Sequence, residues 1–342
     1  MEVEGIVEQF FGEDAYKISP ITNGLINSTF CVENLDTQKK YILQKINKQV
    51  LKNPNSLILN HLHINCLLES SGYLYEIVNL VPSVEKEYLV YDENFHPWRM
   101  LSFVEDSVTF SKVSNAAIAY EAAKTFSHFL AQINCKELPS LEEIIPNFIN
   151  FEKRMQDYKA ALQNTTEELK IKAIKEIQIV KHFENLPLTW IELVKENQLP
   201  KRVIHADPKI SNILFNKNNE ALAVIDLDTL MISTILYDFG DMVRSYCNTK
   251  NEDEATNSNN FNSEIYKAVK NGFHFHLKDN LLTIELENLD YAAKVVVYIQ
   301  AIRFLTDYLN GSTYYAIQYP EHNLDRTQNQ LQLLQSMSQY LD

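Results

Sequence analysis

The alternation of apolar and polar residues divides the chain into a strand-rich first part and a longer helical part. Short runs of β-branched and aromatic residues predict strands up to about residue 105, grouped around one helix that begins at Pro54. Apolar residues then recur at helical spacing. The predicted strands are 26–32, 41–46, 73–81, 86–92 and 98–104, and the predicted helices are 115–134, 147–162, 166–184, 286–310 and 324–341. This pattern predicts an α+β fold with two domains, 1–105 and 106–342.

One strand-rich island, residues 201–236, interrupts the helical part. It contains a loop at 203–215 flanked by apolar residues, and an apolar strand at 220–228 that ends in Asp226 and Asp228. Such flanks anchor a turn on a scaffold, so we expect the polar residues between them to be held in fixed positions.

Composition and charge exclude several classes of protein. Hydrophobic residues make up 45% of the 342 residues, enough for a large core, which excludes a disordered chain. The formal net charge is −14, the opposite of what a nucleic-acid or anionic membrane surface attracts. The first residues lack the pattern of a signal peptide, and no apolar run is long enough to span a membrane. Four widely spaced cysteines favour a reducing compartment. We therefore expect a cytoplasmic protein without a nucleic-acid or membrane partner.

The island carries a set of residues suited to phosphoryl transfer. Asp207 and Asn212 are five residues apart, and Asp226 follows about 20 residues after Asp207, at the end of a strand. One aspartate can deprotonate an acceptor hydroxyl, while the asparagine and the other aspartate hold Mg²⁺ on a triphosphate. Lys209 can reach the transferred phosphate and oppose its developing charge. Any one of these residues alone is more typical of a turn or a helix cap; the joint pattern indicates catalysis.

Residues 203–245 resemble the catalytic segment of the aminoglycoside phosphotransferase and choline kinase superfamily, which has a two-lobed protein-kinase-like fold. The closest resemblance is to N-acetylhexosamine 1-kinases, and it extends over nearly the whole chain. It includes NGLINSTF (23–30), YILQKIN (41–47), VIDLDTLMISTILYDFGDMVR (224–244), RFLTDYLNG (303–311) and HNLDR (322–326). The resemblance implies ATP and Mg²⁺ as cofactors and a small-molecule acceptor, with an amino sugar expected.

The resemblance also implies roles for individual residues. Asp207 is expected to be the catalytic base, Asn212 and Asp226 the Mg²⁺ ligands, and Asp228 a supporting carboxylate or second ligand. His205 is expected to orient the loop. The nucleotide is expected to contact the small lobe and the segment between the lobes, at Asn23, Gly24, Asn27, Ser28, Gln44, Leu101 and Phe103.

Two features depart from the protein-kinase pattern. Gln44 stands where a third-strand lysine is usual, and strand alternation points Lys45 to the opposite face. The helix after Pro54 has no acid before Glu69, with Asn60 and His61 near the usual glutamate position.

The triplet that begins at Asp238 spells a protein-kinase metal motif, but no A-P-E follows it. We therefore expect Asp238 to cap a helix.

The acceptor is expected to lie against the helices of 286–342, where Arg303 and Tyr314 are candidates to bind a sugar. The alternatives are an ion pair of Arg303 with Asp307 and core packing of Tyr314. The segment at 322–326 either closes the pocket or begins the last helix with Asn323 as its cap.

Two other functions remain open at this stage. One is a kinase of the same fold that acts on choline, an aminoglycoside or another amino-alcohol. The other is a nucleotide-binding protein without catalysis, which would bind nucleotide but show no Mg²⁺-dependent turnover.

Overall fold

A β-sheet region is followed by a helical region, which confirms the α+β fold. The computed structural model describes residues 2–12, 14–21, 27–135 and 137–342. The strands are β1 (Tyr16–Ile21), β2 (Ser28–Asn34), β3 (Lys40–Lys45), β4 (Leu80–Val81), β5 (Val90–Tyr91), β6 (Pro97–Ser102), β7 (Arg202–Ile204), β8 (Ile213–Phe215), β9 (Ala221–Val224) and β10 (Met231–Ser233). The helices are α1 (Glu2–Phe11), α2 (Pro54–Glu69), α3 (Ala116–Ile133), α4 (Phe151–Asn164), α5 (Glu167–Lys172), α6 (Ile174–His182), α7 (Asn185–Lys195), α8 (Ile235–Tyr246), α9 (Ser263–Leu277), α10 (Thr283–Glu287), α11 (Leu289–Leu309) and α12 (His322–Leu341).

The chain forms two compact units, each assembled from three segments. The first unit contains Met1–Phe110, His128–Pro146 and Ser211–Ile232, and the second contains Ser111–Ser127, Asn147–Ile210 and Ser233–Asp342. The hairpin of β8 and β9, which the sequence assigns to residues 106–342, thus belongs to the first unit.

The first unit is built on an antiparallel sheet whose strands follow the order β1-β2-β3-β6-β4, with β5 also paired to β6. Because side chains alternate along a strand, the sheet has two different faces. Leu43, Trp98 and Met100 pack with α1 residues on one face. Leu101 of β6 packs with Ile58 of α2 on the other. A polar residue next to Leu43 or Leu101 in the sequence therefore directs its side chain to the face opposite that of the leucine.

Helix α2 starts where the sequence predicts, because Asn53 caps it and Pro54 occupies its first turn, where a missing N–H costs nothing. The predicted strand at 73–81 is wrong over most of its length, since only Leu80–Val81 forms a strand. The predicted strand at 86–92 likewise shortens to Val90–Tyr91.

The second unit is organised around α11. This helix is buried around most of its circumference and packs against α4, α7, α8 and α12. It ends as predicted before Gly311, which has a φ of 84° that favours glycine. The predicted helix at 166–184 is split into α5 and α6 at Ala173. None of the described helices is long and apolar enough to cross a membrane.

Candidate active site

The predicted catalytic loop follows β7 in the second unit and is supported from the core. Val203 and Ile204 of β7 are fully buried, and the His205 side chain that follows them is also fully buried. The His205 ring meets the Phe126 ring edge-on, with 5.2 Å between centroids. Its Nδ1 accepts a hydrogen bond of 3.3 Å from the backbone N–H of Asp207. His205 thus lies beneath the loop and contacts its backbone.

Asp238 of helix α8 binds the same loop. Its buried carboxylate accepts hydrogen bonds from the backbone N–H groups of His205 and Ala206, both of 2.8 Å. Burial raises the pKa of Asp238 to about 7, and the two hydrogen bonds oppose that rise. Thr234, and not Asp238, caps α8. The expectation that Asp238 is a helix cap is therefore wrong, because its carboxylate binds a different segment of backbone.

A backbone angle and one further contact restrict the shape of the loop. Ala206 has a φ of 64°, in the left-handed region, which costs a non-glycine residue about 1–2 kcal/mol. Tyr246, near the end of α8, donates a hydrogen bond of 3.0 Å from its hydroxyl to the Pro208 carbonyl. The backbone on both sides of Asp207 is therefore bound to one helix.

Asp207 itself remains accessible beside a cation. Its side chain is 24% exposed, and its Oδ2 lies 2.6 Å from the Nζ of Lys209, which is 34% exposed. A carboxylate in this position can accept a proton, and the ammonium group can oppose negative charge that develops nearby.

Asn212 and Asp226 lie at the same end of the β8–β9 hairpin in the first unit. The strands pair in the register Ile213 with Val224, and the Ile225 N–H donates a hydrogen bond of 2.9 Å to the Asn212 carbonyl. Asn212 is buried, whereas Asp226 is exposed and has a φ of 64°. The hairpin register therefore places at one end two residues that are 14 positions apart in the sequence.

These two residues fit a Mg²⁺ ion. Mg²⁺ prefers hard oxygen ligands and is commonly held by one or two carboxylates, with phosphate and water completing its shell. Asn212 and Asp226 offer one carboxamide and one carboxylate of this kind. In the described part of the chain, no group of three or more His, Cys, Asp or Glu side chains is placed to hold a metal. Phosphate oxygens and water would complete the coordination of a metal at this hairpin.

Asp228 is placed as a supporting carboxylate. It is 3% exposed, and its Oδ1 lies 2.7 Å from Nη2 of the buried Arg99. Its Oδ2 accepts a hydrogen bond of 2.9 Å from Asn27. Since both oxygens face protein donors, we expect Asp228 to hold its turn rather than to bind the metal.

Arg99 is a residue that the sequence analysis missed. It lies directly opposite Gln44 in the pairing of β3 and β6, and Gln44 Oε1 accepts from its Nε at 2.9 Å and from its Nη2 at 2.7 Å. Lys45 lies on the opposite face, as expected, with its Nζ 3.3 Å from Asp92. The lone charged residue in the largely apolar strand PWRMLS is the signal that could have found Arg99.

The remaining nucleotide-contact predictions concern the first unit. Asn23 and Gly24 lie outside the described residues. Asn27 is half-buried, and its Oδ1 accepts from the Asn47 N–H at 3.1 Å. Ser28 is exposed at the start of β2. Leu101 lies in β6, and the Phe103 ring, just after this strand, is 5.4 Å from the Lys40 Nζ.

A cavity of about 310 Å³ in the second unit contains both residues predicted to bind the acceptor. Its polar lining includes Arg154, Arg303, Asp307 and Tyr314. Arg303 donates a hydrogen bond of 3.0 Å to Gln300 Oε1. The Tyr314 side chain is 71% exposed, so core packing of this residue is excluded.

Asp307 does not pair with Arg303. Its buried carboxylate accepts from the backbone N–H groups of Thr313, Tyr314 and Tyr315 at 2.8–2.9 Å, and from Asn323 Nδ2 at 2.9 Å. The proposed Arg303–Asp307 ion pair is therefore wrong. Asn323 is fully buried inside α12, which begins at His322, so its expected role as a cap is also wrong.

Comparisons with known proteins agree with this fold. The sequence matches the phosphotransferase enzyme family over residues 17–267, more than half of the chain. The fold is similar to that of an aminoglycoside phosphotransferase from Alicyclobacillus acidocaldarius, with 12% identity, a TM-score of 0.67, and coverage of 99% of this chain and 96% of the other. It is also similar to a spectinomycin phosphotransferase solved with ADP and spectinomycin, with 13% identity, a TM-score of 0.61 and 98% coverage of both chains. A choline kinase from Cryptosporidium parvum matches with 18% identity, a TM-score of 0.57, and coverage of 99% and 96%. On the family match, together with the fold and the residues of the loop and hairpin, this chain belongs to the phosphotransferase enzyme family.

Proposed function

We propose that the protein is an ATP-dependent kinase that phosphorylates a small molecule on a hydroxyl group, and that its acceptor is an N-acetylhexosamine phosphorylated at the anomeric oxygen. The observation that carries the reaction type is the position of Asp207, an accessible carboxylate on a loop bound to α8 on both sides. The family match supports phosphoryl transfer. The ADP complex of the spectinomycin phosphotransferase supports ATP as the donor.

In the proposed reaction, Asp207 takes the proton from the acceptor hydroxyl. The hydroxyl oxygen forms a bond to the γ-phosphorus of ATP as the bond to the β-phosphate oxygen breaks, and ADP leaves. Lys209, 2.6 Å from Asp207, opposes the charge on the transferred phosphoryl group. Asn212 and Asp226 would hold Mg²⁺, which would neutralise negative charge on the phosphates of ATP.

The charges around the cavity lined by Arg303 and Tyr314 support a neutral acceptor rich in oxygen atoms. Arg154 and Arg303 form no ion pair with any described residue. The two acids of the lining are already engaged, Asp307 by backbone N–H groups and Asp157 by Lys153. Two guanidinium groups without carboxylate partners disfavour a cation such as choline and favour hydroxyl and acetamido oxygens.

The face of Tyr314 adds a second reason to favour a sugar. Its ring lines the cavity and is largely exposed. Exposed aromatic rings offer an apolar surface on which the C–H face of a pyranose can lie, while the hydroxyl groups bind polar side chains. Arg303 lies in the same lining and can supply such hydrogen bonds.

The test is ADP release from Mg²⁺-ATP by the purified protein. N-acetylglucosamine, N-acetylgalactosamine, glucose, choline and kanamycin are offered separately. We expect turnover with the acetylated sugars, and a loss of at least about 100-fold in kcat for Asp207→Asn with nucleotide binding retained. Asp36→Asn, an exposed aspartate in the turn between β2 and β3, is the matched control and should leave kcat unchanged.

Each outcome decides one part of the proposal. Turnover with choline or kanamycin alone would keep the kinase and overturn the sugar as acceptor. An Asp207→Asn protein that keeps most of its rate would remove Asp207 from the role of base. Nucleotide binding without turnover on any acceptor in the panel would favour the non-catalytic alternative.

A further inference from the structure

A buried arginine, Arg99, connects the face of the sheet that carries Gln44 to the turn that follows the β8–β9 hairpin in the first unit. Arg99 is 2% exposed and contacts Gln44 on the neighbouring strand through two of its nitrogens. Its Nη2 is also 2.7 Å from Asp228, which lies two residues after the proposed metal ligand Asp226. One guanidinium group thus joins β3 to the turn that follows β9.

The partner of this cation comes from the turn and not from helix α2. The helix presents His61 near Arg99 and Asp228, and burial lowers the pKa of His61 to about 4, so that its ring is neutral at pH 7. His61 Nε2 donates a hydrogen bond of 2.8 Å to the Val78 carbonyl. Since the His61 ring is neutral, α2 supplies no opposite charge here, and the described ion pair of Arg99 is with Asp228.

The turn that Arg99 holds is strained. Asp226 has a φ of 64° and a ψ of 61°, a left-handed conformation that a non-glycine residue adopts only when its surroundings impose it. Asp228 lies in the single 3₁₀ turn that follows, Leu227–Thr229, and both of its oxygens are engaged, one by Arg99 and one by Asn27. These contacts hold the backbone two residues after Asp226 in place.

We propose that Arg99 is a positioning residue that acts through Asp228 to hold Asp226 in the conformation that binds metal, in place of a third-strand lysine paired with a helix glutamate. This inference rests on the proposed function, because the metal is taken to be that of Mg²⁺-ATP. Asn27 completes the arrangement by joining the start of β2 to Asp228. A change at Arg99 should therefore alter the Mg²⁺ dependence of nucleotide binding more than nucleotide binding itself.

The test compares nucleotide affinity with Mg²⁺ and with EDTA. Arg99→Gln alone would leave Asp228 buried without its cation and could unfold the protein, so the main variant is Arg99→Gln with Asp228→Asn, which removes both charges. We expect the Kd of Mg²⁺-ATP, measured by isothermal titration calorimetry, to rise by about tenfold or more in this variant. The Kd of ATP in EDTA should stay within about twofold of wild type.

A second arm moves the cation to the neighbouring strand. Because Gln44 and Arg99 are directly opposite in the sheet, their side chains lie on one face, and a lysine at position 44 can approach Asp228. Gln44→Lys with Arg99→Gln should therefore recover part of the Mg²⁺ dependence. Lys45→Gln is the matched control, since it removes a cation from the same strand on the opposite face and should leave this dependence unchanged.

The outcomes separate this inference from the proposed function. A folded double variant that keeps the wild-type Mg²⁺ dependence would overturn the role of Arg99. A crystal structure of that variant with Asp226 still in the left-handed region would overturn it as well, and one with Asp226 relaxed would support it whether or not nucleotide binds. A wild-type protein that binds no ATP would overturn the proposed function and leave the conformation of Asp226 to decide the positioning role.

Discussion

At the scale of single residues, His61 shows how a buried group on α2 couples folding to pH. Its ring is 4% exposed, and burial lowers its pKa from 6.5 to about 4, with a further decrease from Arg99. The Val78 carbonyl and Asp228 act in the opposite direction but do not outweigh burial. The folded protein therefore keeps this ring neutral at a pH at which the unfolded chain protonates it.

This difference predicts an acid-dependent loss of stability. The stabilising contribution of His61 is fully present above pH 6.5 and is lost as the pH falls through the folded pKa near 4, because the unfolded chain binds the proton more readily. The expected loss in the free energy of unfolding is about 3 kcal/mol. Urea unfolding at pH 4–7 should show a weaker dependence on pH in His61→Gln than in wild type.

His63→Gln is the matched control for this prediction. His63 lies on the same helix but is exposed, so its replacement should leave the pH dependence of wild type unchanged. Parallel curves for His61→Gln and wild type would contradict the assignment.

The residues of the proposed site differ in how far the sequence could predict them. Asp207, Asn212 and Asp226 stand out because their spacing along the chain carries the chemistry. Arg99 and Asp238 could not be found in this way, since their partners depend on the register of β3 with β6 and on the packing of α8 beneath a distant loop. A local pattern can therefore single out such a residue, but it does not show the partner, more than 30 positions away, through which the residue acts.

At the scale of elements, α8 meets two requirements, since it bonds to the predicted catalytic loop and must also lie close to α11. Gly240 makes that approach possible. A Cβ added at Gly240 would lie 2.6 Å from Val296 Cγ2 and 2.7 Å from the Ala292 carbonyl oxygen, both in α11. A backbone carbonyl cannot move aside without displacing its helix, so the two helices would have to separate.

We therefore expect Gly240→Ala to destabilise the protein by about 1–3 kcal/mol, as overpacking in a core does. The matched control is Gly5→Ala in α1, where an added Cβ meets no atom within 4 Å. Because alanine favours a helix over glycine, this control should stabilise the protein by up to about 1 kcal/mol. Thermal unfolding measures both effects, and equal stability of wild type and Gly240→Ala would contradict the close packing.

Among the helices, those whose apolar pattern repeats over several turns are predicted most closely. Helices α3, α11 and α12 each extend over 18 residues or more, so their apolar spacing is clear. The predicted strand at 73–81 fails because its contacts are distant: the Leu74 N–H donates to His128 Nε2, and the Glu76 N–H donates to the Leu222 carbonyl. Its aromatic residues resemble a strand in composition, but the Tyr73 ring stacks on His128 instead.

At the scale of the whole molecule, the first unit cannot be separated from the chain at the end of its first segment. Asn60 of α2 bonds to the backbone of Glu142 at 2.9 and 3.0 Å. Val108 exchanges two backbone hydrogen bonds with Phe215. Both partners lie outside residues 1–110 but inside the same unit.

A fragment of residues 1–110 is therefore expected not to fold cooperatively, because it would lack the segments that bond to α2 and to Val108. The fragment contains only one tryptophan, Trp98, which is 1% exposed in the folded chain. Its fluorescence should have the emission maximum of an exposed indole and show no sigmoidal transition in urea. A cooperative transition in the fragment would contradict this expectation.

The same segmented construction has a consequence for synthesis on the ribosome. The first unit is complete only after Ile232, roughly two thirds of the way along the 342 residues. At a synthesis rate of about 5–20 residues per second, the interval between residues 110 and 232 lasts on the order of ten seconds. During that time the nascent first unit lacks the two segments that complete it, so this stage of translation is when the growing chain most needs the protection of a chaperone.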